Sequence, residues 1–332
     1  MPKLSWQHAS WALRLVGLLV FPALILVNRD ILTDAVEVVG DAQPAYLVGA
    51  TILMLGASIV RAARWRILAQ AAGVHYRRFA DYLSIYYAGL FIGVVVPQIA
   101  ASFAPVVLMQ EDGVSWKRGS ASILFDRICE TLAILVVALC ASLYLLNDQV
   151  KVSLFVFAIS AGGLLVLAIM FVLAPRVPEF LAGRGGWTAD KVRAVSDMFD
   201  SPEAHEVYRG MRRRAGSIAV LSMVVVGVQV TVVMLLAESL GIDASPIFLA
   251  SAAAMVVLVV MIPVSFAGLG SREGMLVLLF TAAGEPSEEA VALGVLLFAV
   301  GIVARLPGIV GWLRQSRSPS LAPAGDPPLP QH

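Results

Sequence analysis

The chain has 332 residues, of which 59% are hydrophobic and 14% charged, against about 25% charged in an ordinary soluble domain. Twenty-four Lys+Arg meet 23 Asp+Glu for a formal charge of +1, and mean hydropathy is +0.85. These values argue against a soluble enzyme, a disordered chain and a nucleic-acid binder, and leave an all-α polytopic integral membrane protein.

Residues 11–27 form the first apolar run; Asn28-Arg29-Asp30 follows instead of a small-residue cleavage site, so a retained helix is expected. Further runs lie at 45–60, 80–96, 119–146, 152–174, 215–240, 246–262 and 290–313. Each approaches the roughly 20 residues that cross a bilayer core, and most are apolar on every face. Lipid cannot satisfy backbone polar groups, so about eight transmembrane helices are expected rather than strands.

Two apolar stretches are interrupted. Residues 97–109 begin Pro97-Gln98-Ile99-Ala100-Ala101-Ser102-Phe103-Ala104-Pro105, and residues 263–283 begin Pro263-Val264-Ser265-Phe266-Ala267-Gly268-Leu269-Gly270-Ser271-Arg272-Glu273-Gly274. Proline removes a donor and glycine permits unusual backbone angles, so both read as broken or re-entrant elements.

Loop charge sets the orientation. Residues 61–78 hold five Arg and no acid and are expected inside, as are 175–214, with Arg212-Arg213-Arg214, and the end carrying Arg314 and Arg317. Residues 28–44 and 284–289 are acidic and suit the outside. The expectation is a multi-pass cell-membrane protein with both termini cytoplasmic. These sides are expected to agree only if both broken elements get across the membrane, as half-helix pairs would, running in opposite directions as an inverted repeat does. The domain reading is a membrane domain over 1–314, with halves of about 1–174 and 215–314 joined by cytoplasmic 175–214. Residues 188–214 suggest an amphipathic helix, and 315–332, with five prolines, a disordered tail.

An ionisable group within a span costs about 2.5–3.5 kcal/mol on insertion scales and is a functional candidate by default. Asp126-Arg127-Ile128-Cys129-Glu130 places Arg127 within one helical turn of Glu130 and beside Asp126. Two readings stand: a lipid-phosphate site whose acids hold the guanidinium, or an ion pair that pins the helix to a neighbour. Arg272-Glu273 follows the turn Gly268-Leu269-Gly270-Ser271, where free N–H groups and an arginine fork suit a phosphate; Glu273 suits a helix cap as well. Arg61, Arg64, Trp65 and Arg66 read first as a positive-inside anchor with an interfacial Trp, and second as headgroup ligands. Arg305, in the last span, is expected to snorkel inward or to pair with an acid on another helix, and Glu238 and Gln229, in the sixth, are candidates without a partner that sequence can name.

Catalytic signals are few. His8, His75, His205 and His332 lie outside the apolar runs, and there is no GxSxG, HExxH or Walker A sequence. Cys129 and Cys140 stand 11 residues apart in one run, too far for a disulfide on one helix. No metal or cofactor is expected, and no catalytic residue is assigned.

Residues 262–274, with Gly284 and Glu288-Glu289-Ala290, resemble the lysylphosphatidylglycerol synthase transmembrane-region family in the proline, the Gly-x-Gly-x-Arg-Glu run and the helix that follows. Arg64-Trp65, Val96-Pro97 and Gly113-Val114-Ser115 leading to Asp126-Arg127 match as well, so the resemblance covers about 45–312. It departs at Ala100-Ala101-Ser102, where the family usually has a Gly-rich turn and an Arg, and at Phe298-Ala299, where many members have an aromatic–Arg pair.

The resemblance implies a flippase-like membrane domain without the soluble transferase domain of the full-length synthases, so lysyl transfer is not carried over. The functional expectation is a flippase or transporter that moves a phospholipid or polyprenyl-linked lipid between leaflets. Its expected substrate-binding residues are Arg127, Asp126, Glu130, Pro263, Ser265, Gly268, Gly270, Arg272, Glu273 and Arg64. Rival readings are a membrane-embedded headgroup transferase or hydrolase, and a non-transporting scaffold for lipid-synthesis enzymes.

Overall fold

The computed structural model describes residues 42–95, 98–146, 149–173, 202–261 and 270–315, and among these all regular structure is helical. In chain order the helices are α1 (Pro44–Ala71), α2 (Phe79–Val95), α3 (Gln98–Glu111), α4 (Trp116–Leu145), α5 (Val150–Leu173), α6 (Pro202–Arg213), α7 (Ala215–Ser239), α8 (Pro246–Met261), α9 (Ser271–Ala283), α10 (Ser287–Arg305) and α11 (Gly308–Gln315). Local chemistry sets several ends. The Ser115 side chain accepts from the Arg118 N–H at the start of α4, and the Ser245 hydroxyl accepts from the Phe248 N–H at the start of α8. Gly284, at φ 86°, closes α9 in the left-handed conformation that costs glycine least.

Among the described residues, five helices are long and apolar enough to cross a membrane: α1, α4, α5 (over Val150–Ile169), α7, and α10 with α11 (over Ser287–Leu313). Among the described residues this is fewer than the seven of the eight expected runs that fall there. Run 11–27 lies outside the described residues, and the runs at 80–96 and 246–262 become α2 and α8, of 17 and 16 residues. Pro307 interrupts the last run, separating α10 from α11.

The broken elements do not traverse the bundle. Helices α3 and α9 have 14 and 13 residues, about 20 Å each and short of a core of about 30 Å. Helix α3 returns along α2: a Cβ on Gly89 would stand 2.7 Å from the Pro105 ring, and the Tyr76 hydroxyl donates to Asp112 at 2.8 Å where the hairpin closes. Helix α9 returns along α8, with Phe248 and Phe280 in edge contact at 5.1 Å. Each pair is a re-entrant hairpin. The loop charges therefore agree without either broken element crossing, because a hairpin that returns to its own side leaves the later sides unchanged.

Helices α1–α4 and α7–α10 follow one order of long span, short helix, shorter helix and long span, with 28, 17, 14 and 30 residues in the first set and 25, 16, 13 and 19 in the second. Helices α1 and α7 pack antiparallel. Gly49, near the start of α1, faces Leu235 near the end of α7, while Arg64 Nη1 donates to Ser222 Oγ at 3.2 Å nearer the other end. The two sets thus run in opposite senses. Helix α4 packs on α8, and α2 packs on α10 and α11, so each hairpin rests on the long span of the other set.

The main core joins α1, α4, α5 and α7–α10 around Phe248, Met255, Leu276 and Phe280. A second cluster holds the first hairpin against α1 and α4 through Trp65, Tyr82, Ile85 and Met109. Helix α6 buries Val207 against Leu68 and Phe125 and leaves Arg209, Arg212 and Arg213 exposed. Residues 188–201 of the expected amphipathic helix, and 316–332 of the expected tail, lie outside the described residues.

Candidate functional site

Arginine is affordable inside an apolar bundle only where charge partners are built around it. Glu130, on α4, is that partner for three arginines. Arg61 Nε donates to its Oε1 at 3.1 Å, while Arg64 Nη2 and Arg127 Nη1 donate to its Oε2 at 3.3 and 3.1 Å. Arg64 also donates through Nε to Asp126 Oδ1 at 2.8 Å, and both side chains of that pair have no exposure. Arg127 differs: its side chain is 32% exposed, and its Nη2 donates to the Tyr86 hydroxyl at 3.4 Å.

The open side of this cluster faces a cavity of about 160 Å³ between the two hairpins. Arg61, Arg127, Arg272, Arg305, Glu130 and Gln229 supply its polar wall, and side chains such as Met54, Val233, Val257 and Leu297 its apolar wall. Arg61 stands about 15 Å from the last residue of α1 and Arg127 about 16 Å from the first residue of α4, depths that put the cavity near the middle of the bundle.

Arg272 enters from the first turn of α9, 7% exposed, with its guanidinium carbon 5.6 Å from the centre of the Phe298 ring. Gly270 N–H donates to Glu273 Oε2 at 2.6 Å, so Glu273 caps its own helix. Gly270 has φ 79°, and a Cβ there would meet open space; glycine is required by backbone conformation and not by close contact.

Of the residues expected at a binding site, Arg127, Glu130 and Arg272 line the cavity. Arg64 and Asp126 are sealed behind its wall, and Gly270 and Glu273 shape the helix that presents Arg272. Pro263, Ser265 and Gly268 lie outside the described residues. The membrane-anchor reading of the arginines near residue 61 is corrected for two of them. Helix α1 continues to Ala71, and it carries Arg61 and Arg64 inward on one face. Trp65 is no interfacial anchor either: it is fully buried, and its indole N–H donates to Ser122 Oγ at 3.2 Å.

Arg61, expected first as a membrane anchor and second as a headgroup ligand, and Arg305, expected only within the last span, both line the cavity. The i,i+3 spacing of Arg61 and Arg64 was the available signal for the first. For Arg305 the signal was its charge within an apolar run, but its surroundings were not legible, because its neighbours Arg61, Tyr86, Arg127 and Arg272 come from four other helices. Arg305 also gives the cavity an arginine from α10, seven residues beyond the Phe298-Ala299 position.

No curated protein matches the chain. The family model described as "Lysylphosphatidylglycerol synthase TM region" matches residues 11–308, nearly the whole described bundle. The chain belongs to the family of lysylphosphatidylglycerol synthase transmembrane regions.

Proposed function

We propose that this membrane protein moves a lipid with a phosphate-bearing headgroup between leaflets, and that the headgroup rests in the arginine-lined cavity. The observation that carries the reading is the cavity itself: four arginines and apolar walls, near mid-bundle, between two hairpins that enter from opposite ends. An anionic headgroup crossing a hydrocarbon core needs a polar resting point at that depth, and its tails need an apolar flank. Arg127 and Arg272 are assigned as headgroup ligands, and Arg61 and Arg305 complete the cationic wall. Glu130 orients Arg61 and Arg127.

Exposed Arg66, Arg77, Arg78, Lys117, Arg118, Arg209, Arg212, Arg213 and Arg214 gather at the end of the bundle where α1 ends and α4 and α7 begin. We assign that end to the cytoplasm of a cell membrane, with both termini on the same side. Lipid-synthesis enzymes that supply or use the moved lipid are the expected partners.

The test is reconstitution of the full chain in liposomes holding a fluorescent phospholipid, with a membrane-impermeant quencher reporting the exposed leaflet. Quenching well beyond half of the label, lost in Arg127→Leu and in Arg272→Ala, is expected. Quenching equal to protein-free liposomes overturns translocation; a covalently altered lipid recovered from the same vesicles favours a headgroup transferase or hydrolase.

A further inference from the structure

The charge balance around the cavity goes further than the presence of a phosphate. Arg61, Arg127, Arg272 and Arg305 line it, and Glu130 is its only lining carboxylate among the described residues. Around and behind the wall stand Arg64, Asp126 and Glu273. With these included, five arginines face three carboxylates among the described residues, an excess of two positive charges. The carboxylates are also unevenly placed. Glu130 and Asp126 contact Arg61, Arg64 and Arg127 at one pole. At the other pole Glu273 is adjacent to Arg272 in sequence and spends one oxygen on the Gly270 N–H. No carboxylate among the described residues lies within ion-pair distance of Arg305.

An excess of positive charge inside a bundle favours a ligand that brings counter-charge. A zwitterionic phosphodiester headgroup brings none in net, and an anionic phosphodiester brings one. A phosphomonoester or a diphosphate brings about two. We infer that the cavity selects a lipid whose headgroup carries two negative charges, a lipid phosphomonoester or diphosphate, with Arg305 reading the second charge. This rests on the proposed headgroup role of the cavity but not on translocation. Chemically, the reactions that supply such a lipid are phosphorylation of a lipid alcohol or release from a diphosphate-linked carrier, and those that consume it attach or remove a group at the terminal phosphate.

The test measures binding of phosphatidic acid, phosphatidylglycerol, phosphatidylcholine and inorganic pyrophosphate to the purified full chain in detergent, at about pH 8 where a phosphomonoester holds about two charges. Phosphatidic acid is expected to bind about tenfold tighter than phosphatidylglycerol, the worth of one further charge-assisted hydrogen bond. Phosphatidylcholine is expected to be weakest. Arg305→Gln should weaken phosphatidic acid binding more than phosphatidylglycerol binding and so remove most of that preference, and Arg305→Lys should retain most of it because the charge remains. Equal affinity for the two anionic lipids overturns the inference, and the wild-type comparison stands even where a variant does not fold. A preference unchanged in Arg305→Gln overturns the role of Arg305. Pyrophosphate binding as tightly as phosphatidic acid supports the two-charge site but identifies a soluble ligand. A clear preference for phosphatidic acid without its movement in liposomes supports this inference and removes translocation; movement of all three lipids at one rate, with equal affinities, does the reverse.

Discussion

Arg64 on α1 and Asp126 on α4 meet at 2.8 Å with neither side chain exposed. Arg64 Nη1 continues to Ser222 on α7, so a single guanidinium joins three long helices. The pair is sealed from the cavity that Arg127 enters, which separates two environments within one five-residue stretch: Asp126 joins helices in the packed interior, and Arg127 faces the cavity.

Removing one partner of a buried pair strands the other charge. Asp126→Leu is therefore expected to destabilise the detergent-solubilised protein by about 3–5 kcal/mol, and Arg64→Met with Asp126→Leu by clearly less. Thermal unfolding of the three proteins measures this. An unchanged melting temperature in Asp126→Leu would mean the pair contributes nothing to helix association.

Arg127 and Glu130 are not interchangeable halves of one ion pair. Arg127→Leu leaves Glu130 with Arg61 and Arg64, so stability should change by no more than about 1 kcal/mol while lipid movement is lost. Glu130→Leu removes the shared partner of three guanidinium groups and should cost about 3–5 kcal/mol. The double change should not restore movement. Full rescue by Arg127→Leu with Glu130→Leu would reduce Arg127 to a structural residue.

At the start of α9, shape and charge should separate. Gly270→Ala places a side chain at φ 79° without a clash, and its cost is the strain of that conformation, about 1–2 kcal/mol. Arg272→Ala should lower bound lipid, and Arg272→Lys should recover part of it because an ammonium lacks the planar fork. Lipid stoichiometry and melting temperature on the same purified variants decide; normal lipid content in Arg272→Ala removes the headgroup role.

The first hairpin depends on close helix approach. Gly89→Val would drive its side chain into the Pro105 ring, and Gly308→Ala would drive a methyl into the Tyr87 carbonyl. Each is expected to lower stability by about 1–3 kcal/mol through overpacking. Gly56→Ala, with open space at its Cβ, is the control. Equal melting temperatures for all three would show that the hairpin does not pack closely.

Topology can be read by cysteine labelling in intact cells, after Cys129 and Cys140 are replaced by serine. His75→Cys is expected to resist an impermeant maleimide and Glu288→Cys to react, since exposed arginines surround the first position and acids the second. The opposite pattern reverses the orientation.

Composition alone determined the class of this protein. With 14% charged residues it could not cover a water-facing surface, and lipid leaves helices as the economical way to satisfy the backbone. Charge position determined where to look, because an arginine such as Arg127 or Arg272 within an apolar run needs a reason. Local glycine and proline marked both interruptions at residues 97 and 263, since their effect is on the backbone next to them. Tertiary structure decided whether those elements cross or return: the length of a short helix is local, but its direction is set by packing such as Gly89 on Pro105 and Phe248 on Phe280. It likewise decided which charges meet. Asp126, Arg127 and Glu130 are neighbours by helical spacing, whereas Arg61, Arg272 and Arg305 reach the same cavity from α1, α9 and α10. Coulombic attraction acts through space, and chain order carries no record of which helices become neighbours.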